Sequence, residues 1–451
     1  MKIQIEKEKD RKEIYDILHL FYPKEELHFV EENGDLKIGP LIQWKDKFYS
    51  YNDKEERKRI LYEIFQKERG ITPPWGILTG VRPVKLVHQW AKTKSKEEIA
   101  LDLRKKKRLS PDRIHEIIKI YELQRKALGD IGSQYSIYLH IPFCPSRCSY
   151  CSFPTIIGNR VGKYEKEYVD HLIDEMRTLL PKLKEEKLRS IYIGGGTPSL
   201  LNKEHLEKIL LELQNYIDDD VQEFTVEAGR EDSLDREKLD LFQQYGVNRI
   251  CLNPQTMNQK TLHKIGRDQD MNHLKELVKE SKKRGFIVNM DIIAGLPGET
   301  LKDMERTLRE MESLNPEQIT VHTLSLKKGS SMEGKSRDMK KEIQQVGEIL
   351  TYTKEYLSQR GYKAYYLYRQ KDILGNFENI GYGKEGHYSI YNMIMTDELE
   401  SIVALGMGAN TKLIGKEHLQ WTNDRNIRDY LQDDFKEKEE QLRRFYRGES
   451  Q

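Results

Sequence analysis

Residues 136–153 read Ser136-Ile137-Tyr138-Leu139-His140-Ile141-Pro142-Phe143-Cys144-Pro145-Ser146-Arg147-Cys148-Ser149-Tyr150-Cys151-Ser152-Phe153. An apolar, β-rich segment, Ser136–Phe143, runs directly into three cysteines spaced C-x3-C-x2-C. A strand that delivers a metal-binding pattern at its end is the arrangement of a βα barrel, in which loops after the strands converge on one mouth. Five further strand segments follow: Ser190–Gly196, Glu223–Gly229, Arg249–Gln255, Val288–Leu296 and Gln318–Leu326. Between the first two, Val169, Leu172, Ile173, Met176, Leu179 and Leu180 recur at three and four residues, which places them on one helix face. Alternating strands and helices predict a parallel sheet with right-handed crossovers, and six such units make a closed or partial (βα)6 barrel of the α/β class.

The polar residues fall where that barrel has its mouth. Cys144 follows the first strand, Gly194-Gly195-Gly196-Thr197-Pro198 ends the second, and Glu227 ends the third. Gln255 ends the fourth, and Asp291 lies on the fifth ahead of Gly295-Leu296-Pro297-Gly298. Glu227 and Asp291 are placed to accept hydrogen bonds from sugar hydroxyls, while Gln255 and Arg267 suit a carboxylate. The glycines, lacking Cβ, allow close backbone approach to a bound group; a tight turn explains them equally well.

Three units are expected: an N-terminal α+β extension over 1–132, the barrel over 133–330, and a C-terminal, mainly helical, substrate-covering part over 331–451. The first contains a helix at Arg11–Phe21 and a hairpin around Glu32-Asn33-Gly34-Asp35. Its Trp75–Pro83 stretch reads as a Gly/Pro-punctuated turn or, less simply, a binding loop. The run Arg104-Lys105-Lys106-Lys107-Arg108 reads as a solvated helix face. The tyrosines from Tyr362 through Tyr368 read as packing.

Composition narrows the function classes. The 451 residues carry 76 Lys+Arg against 74 Asp+Glu, a net of +2 that gives no electrostatic ground for nucleic-acid binding. The charged opening, Met1-Lys2-Ile3-Gln4-Ile5-Glu6, lacks a secretory h-region, and no apolar run reaches the roughly 18 residues of a membrane span, so a cytoplasmic protein is expected. Four cysteines, three of them within eight positions, are unlike a disulfide framework. Structural zinc takes four ligands, and no fourth Cys or His stands at a companion spacing. Three thiolates on one loop suit a cubane with one iron left open to an exogenous ligand.

The C-x3-C-x2-C spacing, with Tyr150 just before the third cysteine, resembles the radical S-adenosylmethionine superfamily. The resemblance implies a [4Fe-4S] cluster on Cys144, Cys148 and Cys151, whose open iron binds S-adenosylmethionine and whose electron cleaves it to a 5′-deoxyadenosyl radical. It extends further. Tyr138 through Cys144, Gly194 through Ser199 and Asp291 through Thr300 look like the oxygen-independent coproporphyrinogen III dehydrogenase family, and the N-terminal extension with Gly375-Asn376-Phe377-Glu378-Asn379 looks most like its HemZ-type branch. Carried over position by position, the S-adenosylmethionine contacts are Tyr138, Tyr150, Gly195, Gly196, Thr197, Glu227, Gln255, Arg267 and Asp291.

The activity so implied is oxidative decarboxylation of coproporphyrinogen III to protoporphyrinogen IX, with a flavodoxin or ferredoxin as low-potential electron donor. Two departures point elsewhere in the family. Phe153 stands where the dehydrogenases carry a fourth cysteine, as in the haem-chaperone relatives, and Gly375 through Tyr382 lacks the His and Trp of their His-Asn-x-x-Tyr-Trp segment. A haem chaperone and a radical methyltransferase acting on haem are the alternative readings; His322 or His387 could serve the former as an axial ligand, though each reads more simply as an ordinary polar or core histidine.

Overall fold

The computed structural model describes residues 1–80, 82–132, 134–325, 330, 339–370, 373–415 and 418–447. Val81, Ser133, Leu326 and Lys371, together with residues 331–338, lie outside the described residues, and with them the expected boundaries at 133 and 331. All six barrel strands form: β1 (Gln134–Ile141), β2 (Lys187–Gly195), β3 (Glu223–Glu227), β4 (Arg249–Cys251), β5 (Ile287–Ala294) and β6 (Gln318–Thr323). Each is hydrogen-bonded in parallel to the next. The ends stay open, so the barrel is partial.

The crossovers are helices for local reasons. In α1 (Arg160–Leu179), Val169, Leu172, Met176 and Leu179 are fully buried along one face. Helices α2 (Lys203–Leu213), α3 (Arg236–Gln244) and α4 (Met271–Lys283) are capped by Asn202, Asp235 and Asp270, whose side chains accept from the first free backbone N–H groups. Helix α5 (Leu301–Leu314) ends at Asn315 in the left-handed conformation.

The C-terminal part carries helices at Met339–Gln359, Ile390–Asp397, Ile427–Tyr430 and Lys436–Arg447, and strands that join the barrel's own sheet. Strand β7 (Lys363–Tyr368) and β8 (Asn379–Gly383) extend it beyond β6, with β8 antiparallel to β6. At the opposite edge β9 (Ser401–Leu405) lies parallel to β1, followed by β10 (Asn410–Ile414) and β11 (His418–Thr422). The result is one eleven-stranded sheet ordered β7-β8-β6-β5-β4-β3-β2-β1-β9-β10-β11. The tyrosine-rich segment is β7, with Tyr365 and Tyr366 buried in it.

The N-terminal region builds its own sheet and core, with Ile3, Ile17, Phe21, Leu61 and Phe65 packed together. No hairpin forms at Glu32–Asp35: His28–Val30 and Leu36–Ile38 lie on opposite sides of the first strand, Lys2–Ile5, both parallel to it. The loop is held there because Lys2 N donates to Asp35 Oδ2 at 2.7 Å and His28 N donates to Met1 O at 3.0 Å, so the chain start fills the middle. The basic run ends helix Lys96–Lys105, and Lys107 and Arg108 pair with Glu55 and Glu63 of the neighbouring helix Lys54–Arg69. Among the described residues no helix is long and apolar enough to cross a membrane.

Trp75 is no simple turn residue. It is buried, and its Nε1 donates to Glu378 Oε2 at 2.7 Å, across 303 residues of sequence. Glu378 also pairs with Arg113, and the guanidinium groups of Arg113 and Arg369 lie over the Trp75 ring. An N-terminal loop is thereby bolted to the Gly375–Asn379 segment beside the barrel.

Candidate active site at the barrel mouth

The loop after β1 carries the cysteines. Phe143–Cys144 pairs in parallel with Ile156–Ile157, so the loop is pinned at its start and end. Cys144, Cys148 and Cys151 are partly exposed and none of the four cysteines is in a disulfide. Among the described residues no three His, Cys, Asp or Glu groups converge closely enough for a single ion. A cubane binds its thiolates at separate irons, so spaced sulfurs are the donor set it takes. Burial pushes the Cys144 thiol up to about 11, and coordination to iron is what displaces such a proton.

The glycine turn after β2 grips this loop. Gly196 N donates to Ile141 O at 2.8 Å, Thr197 N to Phe143 O at 2.7 Å, and Thr197 Oγ1 lies 3.5 Å from Cys144 Sγ. A Cβ on Gly196 would stand 2.5 Å from Phe143 O and 3.0 Å from Cys144 Sγ, while Gly195, at φ 113°, faces the His140 ring. The glycines are thus required by the protein's own packing against the cysteine loop.

Opposite stands a polar wall. Tyr192 Oη donates to Glu227 Oε1 at 2.5 Å, and Gly195 N donates to Glu227 Oε2 at 3.2 Å. Burial, and then the Asp291 charge, lift the Glu227 carboxyl to about 7. Asp291 behaves oppositely: burial raises it, but His322, Asn289 and Thr320 outweigh burial and hold it below the ordinary carboxylate range. Asn289 Nδ2 donates to Asp291 Oδ1 at 2.8 Å, and His322 Nε2 lies 3.5 Å from Asp291 Oδ2. Tyr368 Oη is 3.2 Å from His322 Nδ1. Tyr138 lies in a stack with Tyr192 and Tyr391.

Gln255 occupies the left-handed region at φ 67°, a costly conformation for a residue with a Cβ. It is held there by two backbone bonds to β5: its N donates to Asp291 O and Ile293 N donates to its O, both at 2.9 Å. Its side-chain Oε1 is buried with no partner among the described residues. An orphaned amide oxygen at the mouth is a group waiting for a ligand donor. Arg267 is more committed than its sequence position suggests: Nε donates to Gln269 at 2.9 Å, Nη1 to Tyr150 at 3.4 Å, and Nη2 to the carbonyls of Asn253, at 2.6 Å, and Gly229. Its charge also lies beside Cys148.

The mouth therefore gathers nearly every residue singled out from the sequence. His387 is the exception, because its carbonyl receives bonds from Arg249 and Gln318, which begin β4 and β6 at the far end of the barrel. Tyr192, Asn289 and Tyr368 were not foreseen. Tyr192 had one signal, a phenol in the otherwise aliphatic run Ile191-Tyr192-Ile193, two residues ahead of the glycines.

An α/β partial barrel with a three-cysteine loop at its mouth defines the class: the Radical SAM superfamily model matches residues 138–311. A [4Fe-4S] cluster and S-adenosylmethionine are its cofactors, and three spaced thiols, a glycine-clamped loop and an orphaned Gln255 oxygen fit that pair. The chain is 36% identical over 427 residues to the oxygen-independent coproporphyrinogen-III oxidase-like protein HemZ of Bacillus subtilis, covering 89% of this chain and 84% of that one, and it belongs to that family. It is 30% identical over 302 residues to the haem chaperone HemW of Buchnera aphidicola subsp. Schizaphis graminum, covering 66% and 75%. In fold it is similar to the coproporphyrinogen III oxidase HemN of Escherichia coli, with a TM-score of 0.56 at 23% identity over 71% of this chain and 73% of that one.

Proposed function

We propose that this protein is a cytoplasmic radical S-adenosylmethionine oxidoreductase of tetrapyrrole metabolism that converts two propionate side chains of coproporphyrinogen III into vinyl groups, yielding protoporphyrinogen IX. What carries the reading is the completeness of the mouth. Three thiols face a wall of Glu227, Asp291 and an unpartnered Gln255, in a chain whose likeness to an oxidase-like relative runs nearly end to end.

Cys144, Cys148 and Cys151 would hold three irons of the cluster. Glu227 and Asp291 would hold ribose hydroxyls, and Gln255 Oε1 would accept from the methionine amino group, with Arg267, Tyr138, Tyr150, Gly195, Gly196 and Thr197 lining the rest. Bound there, the pair supplies a 5′-deoxyadenosyl radical. The residues orient the adenosyl group toward the substrate and exclude water. The propionate carbon next to the ring would give a hydrogen atom to that radical, forming 5′-deoxyadenosine; the bond to the carboxylate would then break, CO2 depart, and one electron pass from the substrate to an external acceptor. His322 keeps Asp291 ionised, so that it accepts hydrogen bonds throughout.

A second reading, haem binding and delivery, draws support from Phe153 and from the HemW likeness. Anaerobic reconstitution with iron and sulfide, followed by S-adenosylmethionine, a strong reductant and coproporphyrinogen III, separates the two. 5′-Deoxyadenosine with the divinyl product supports decarboxylation; unchanged tetrapyrrole with tight, stoichiometric haem binding replaces it. Replacing any of Cys144, Cys148 or Cys151 by Ala is expected to abolish S-adenosylmethionine cleavage and bound iron, whereas Cys251→Ala leaves the iron content intact.

A further inference from the structure

Two buried guanidinium groups reach the cysteine loop from neighbouring strands of the barrel. Arg230, just past the end of β3, donates from Nη1 to Ser146 Oγ at 2.9 Å, and Ser146 stands between Cys144 and Cys148. Arg267, past the end of β4, donates from Nη1 to Tyr150 Oη at 3.4 Å, and Tyr150 stands between Cys148 and Cys151. Each gap of the C-x3-C-x2-C pattern is thus contacted by its own arginine.

The two arginines differ in how their charge is met. Among the described residues no carboxylate pairs with Arg267, whose other donors go to Gln269 and to the carbonyls of Asn253 and Gly229. Arg230 has Asp232, which accepts from Nε at 3.0 Å and from Nη2 at 2.6 Å. That pair is unequal in burial: the side chain of Arg230 is 8% exposed and that of Asp232 38%, so water screens the acid more than the cation. Glu231, between them in the chain, is occupied at the start of α4, where it accepts from Asp270 N at 2.8 Å. The loop therefore meets a positive charge whose orientation is fixed by a two-point grip on a planar group. Burial pushes the Cys144 thiol up, and the Arg230 charge works against it, in favour of the thiolate.

We infer that Arg230, anchored by Asp232 and hydrogen-bonded to Ser146, is a positioning residue that eases one-electron reduction of the cluster carried by the three cysteines. A cubane on thiolates gains negative charge when it takes up an electron, and net charge and hydrogen bonding around the sulfurs set its potential. A fixed cation against the loop favours the reduced form over the oxidised one. The electron comes from an external one-electron reductant, which is oxidised in turn; no bond forms or breaks in this step. The inference rests on the three-cysteine cluster of the preceding section and is independent of the substrate.

The test uses the full chain, reconstituted anaerobically with iron and sulfide and titrated potentiometrically without S-adenosylmethionine. The reduced fraction is read from the electron paramagnetic resonance of the reduced cluster and from bleaching of its visible absorption. Arg230→Gln is expected to move the ratio of reduced to oxidised cluster about tenfold toward oxidised at a given applied potential, a midpoint about 59 mV lower for one electron, with iron content unchanged. Arg230→Lys, which keeps the charge and loses the planar grip, is expected to recover at least half of that shift. Asp232→Asn removes the acid and leaves the arginine, so its midpoint moves the opposite way, by about threefold in the same ratio at low salt and less at high salt. An Arg230→Gln ratio within about twofold of wild type overturns the inference, as does a lowered midpoint in Asp232→Asn. Iron loss from Arg230→Gln that Arg230→Lys does not restore would mean that the arginine only braces the loop, and overturns it as well. A wild-type chain that assembles no cluster under these conditions would overturn the three-cysteine reading, and this inference with it.

Discussion

Glu227 holds its proton to about pH 7, because it is buried beside another carboxylate. Between the ordinary carboxylate range and pH 7 the folded protein keeps a proton that the unfolded chain releases, so this group's contribution to stability falls as pH rises through that window and is level above it. Glu227→Gln is expected to flatten that slope, as read from urea midpoints of the cofactor-free protein at pH 5 and pH 8. Asp291 is set the other way, and His322 is the first group holding it down. His322→Ala is expected to move the acid limb of the S-adenosylmethionine cleavage profile to higher pH, with Tyr368→Phe having the smaller effect because it acts through His322. That Glu227, Gln255 and Asp291 gather at the mouth was readable in the sequence, since a Glu, Gln or Asp set in an apolar run has no packing reason to be there. Tyr192 and Tyr368 were not, because a tyrosine in a strand is ordinarily core, and what distinguishes these two is a partner carried on another strand.

Among the elements, the six parallel strands were recoverable from apolar runs alone, while β9 was not. Ser401-Ile402-Val403-Ala404-Leu405 has the composition of a buried strand, but nothing local says that its neighbour is β1 at the other end of the barrel. The hairpin expected at Glu32–Asp35 failed for a similar reason: both flanking strands run parallel to the first strand of the chain, which occupies the place between them, so the loop carries the chain across that strand instead of reversing it. The Trp75 strut shows how much one contact between elements carries. Glu378→Ala takes the acceptor from buried Trp75 Nε1 and one of the two carboxylates from Arg113, which keeps Glu116, and a loss of about 1–3 kcal/mol in chemical denaturation is expected. Trp75→Phe, which removes one hydrogen bond but keeps the ring, is expected to cost about 1 kcal/mol.

At the scale of the whole molecule, the site is assembled from three parts of the chain. The N-terminal loop fixes the Gly375–Asn379 segment through Glu378, that segment holds β6 through bonds from Thr323 to Asn379 and Glu378, and β6 carries His322 to Asp291. At the other edge, buried Glu175 of α1 accepts from Gly406 N, Asn423 and Tyr430, tying the segment after β9 to the first crossover helix. A chain stopped at Glu398 lacks β9 and all of these ties. It leaves the edge of β1 unpaired, and it is expected to elute in the void volume on gel filtration and to retain no iron.

The pairing of β9 with β1 also sets a timetable. Tyr135 leaves the ribosome long before Ser401, its partner in the sheet. At roughly 5–20 residues per second, the edge of β1 and the cysteine loop attached to it stand open for about 10–50 s in every round of synthesis. For that interval the nascent chain presents a bare strand edge, the feature through which unpaired strands associate with one another.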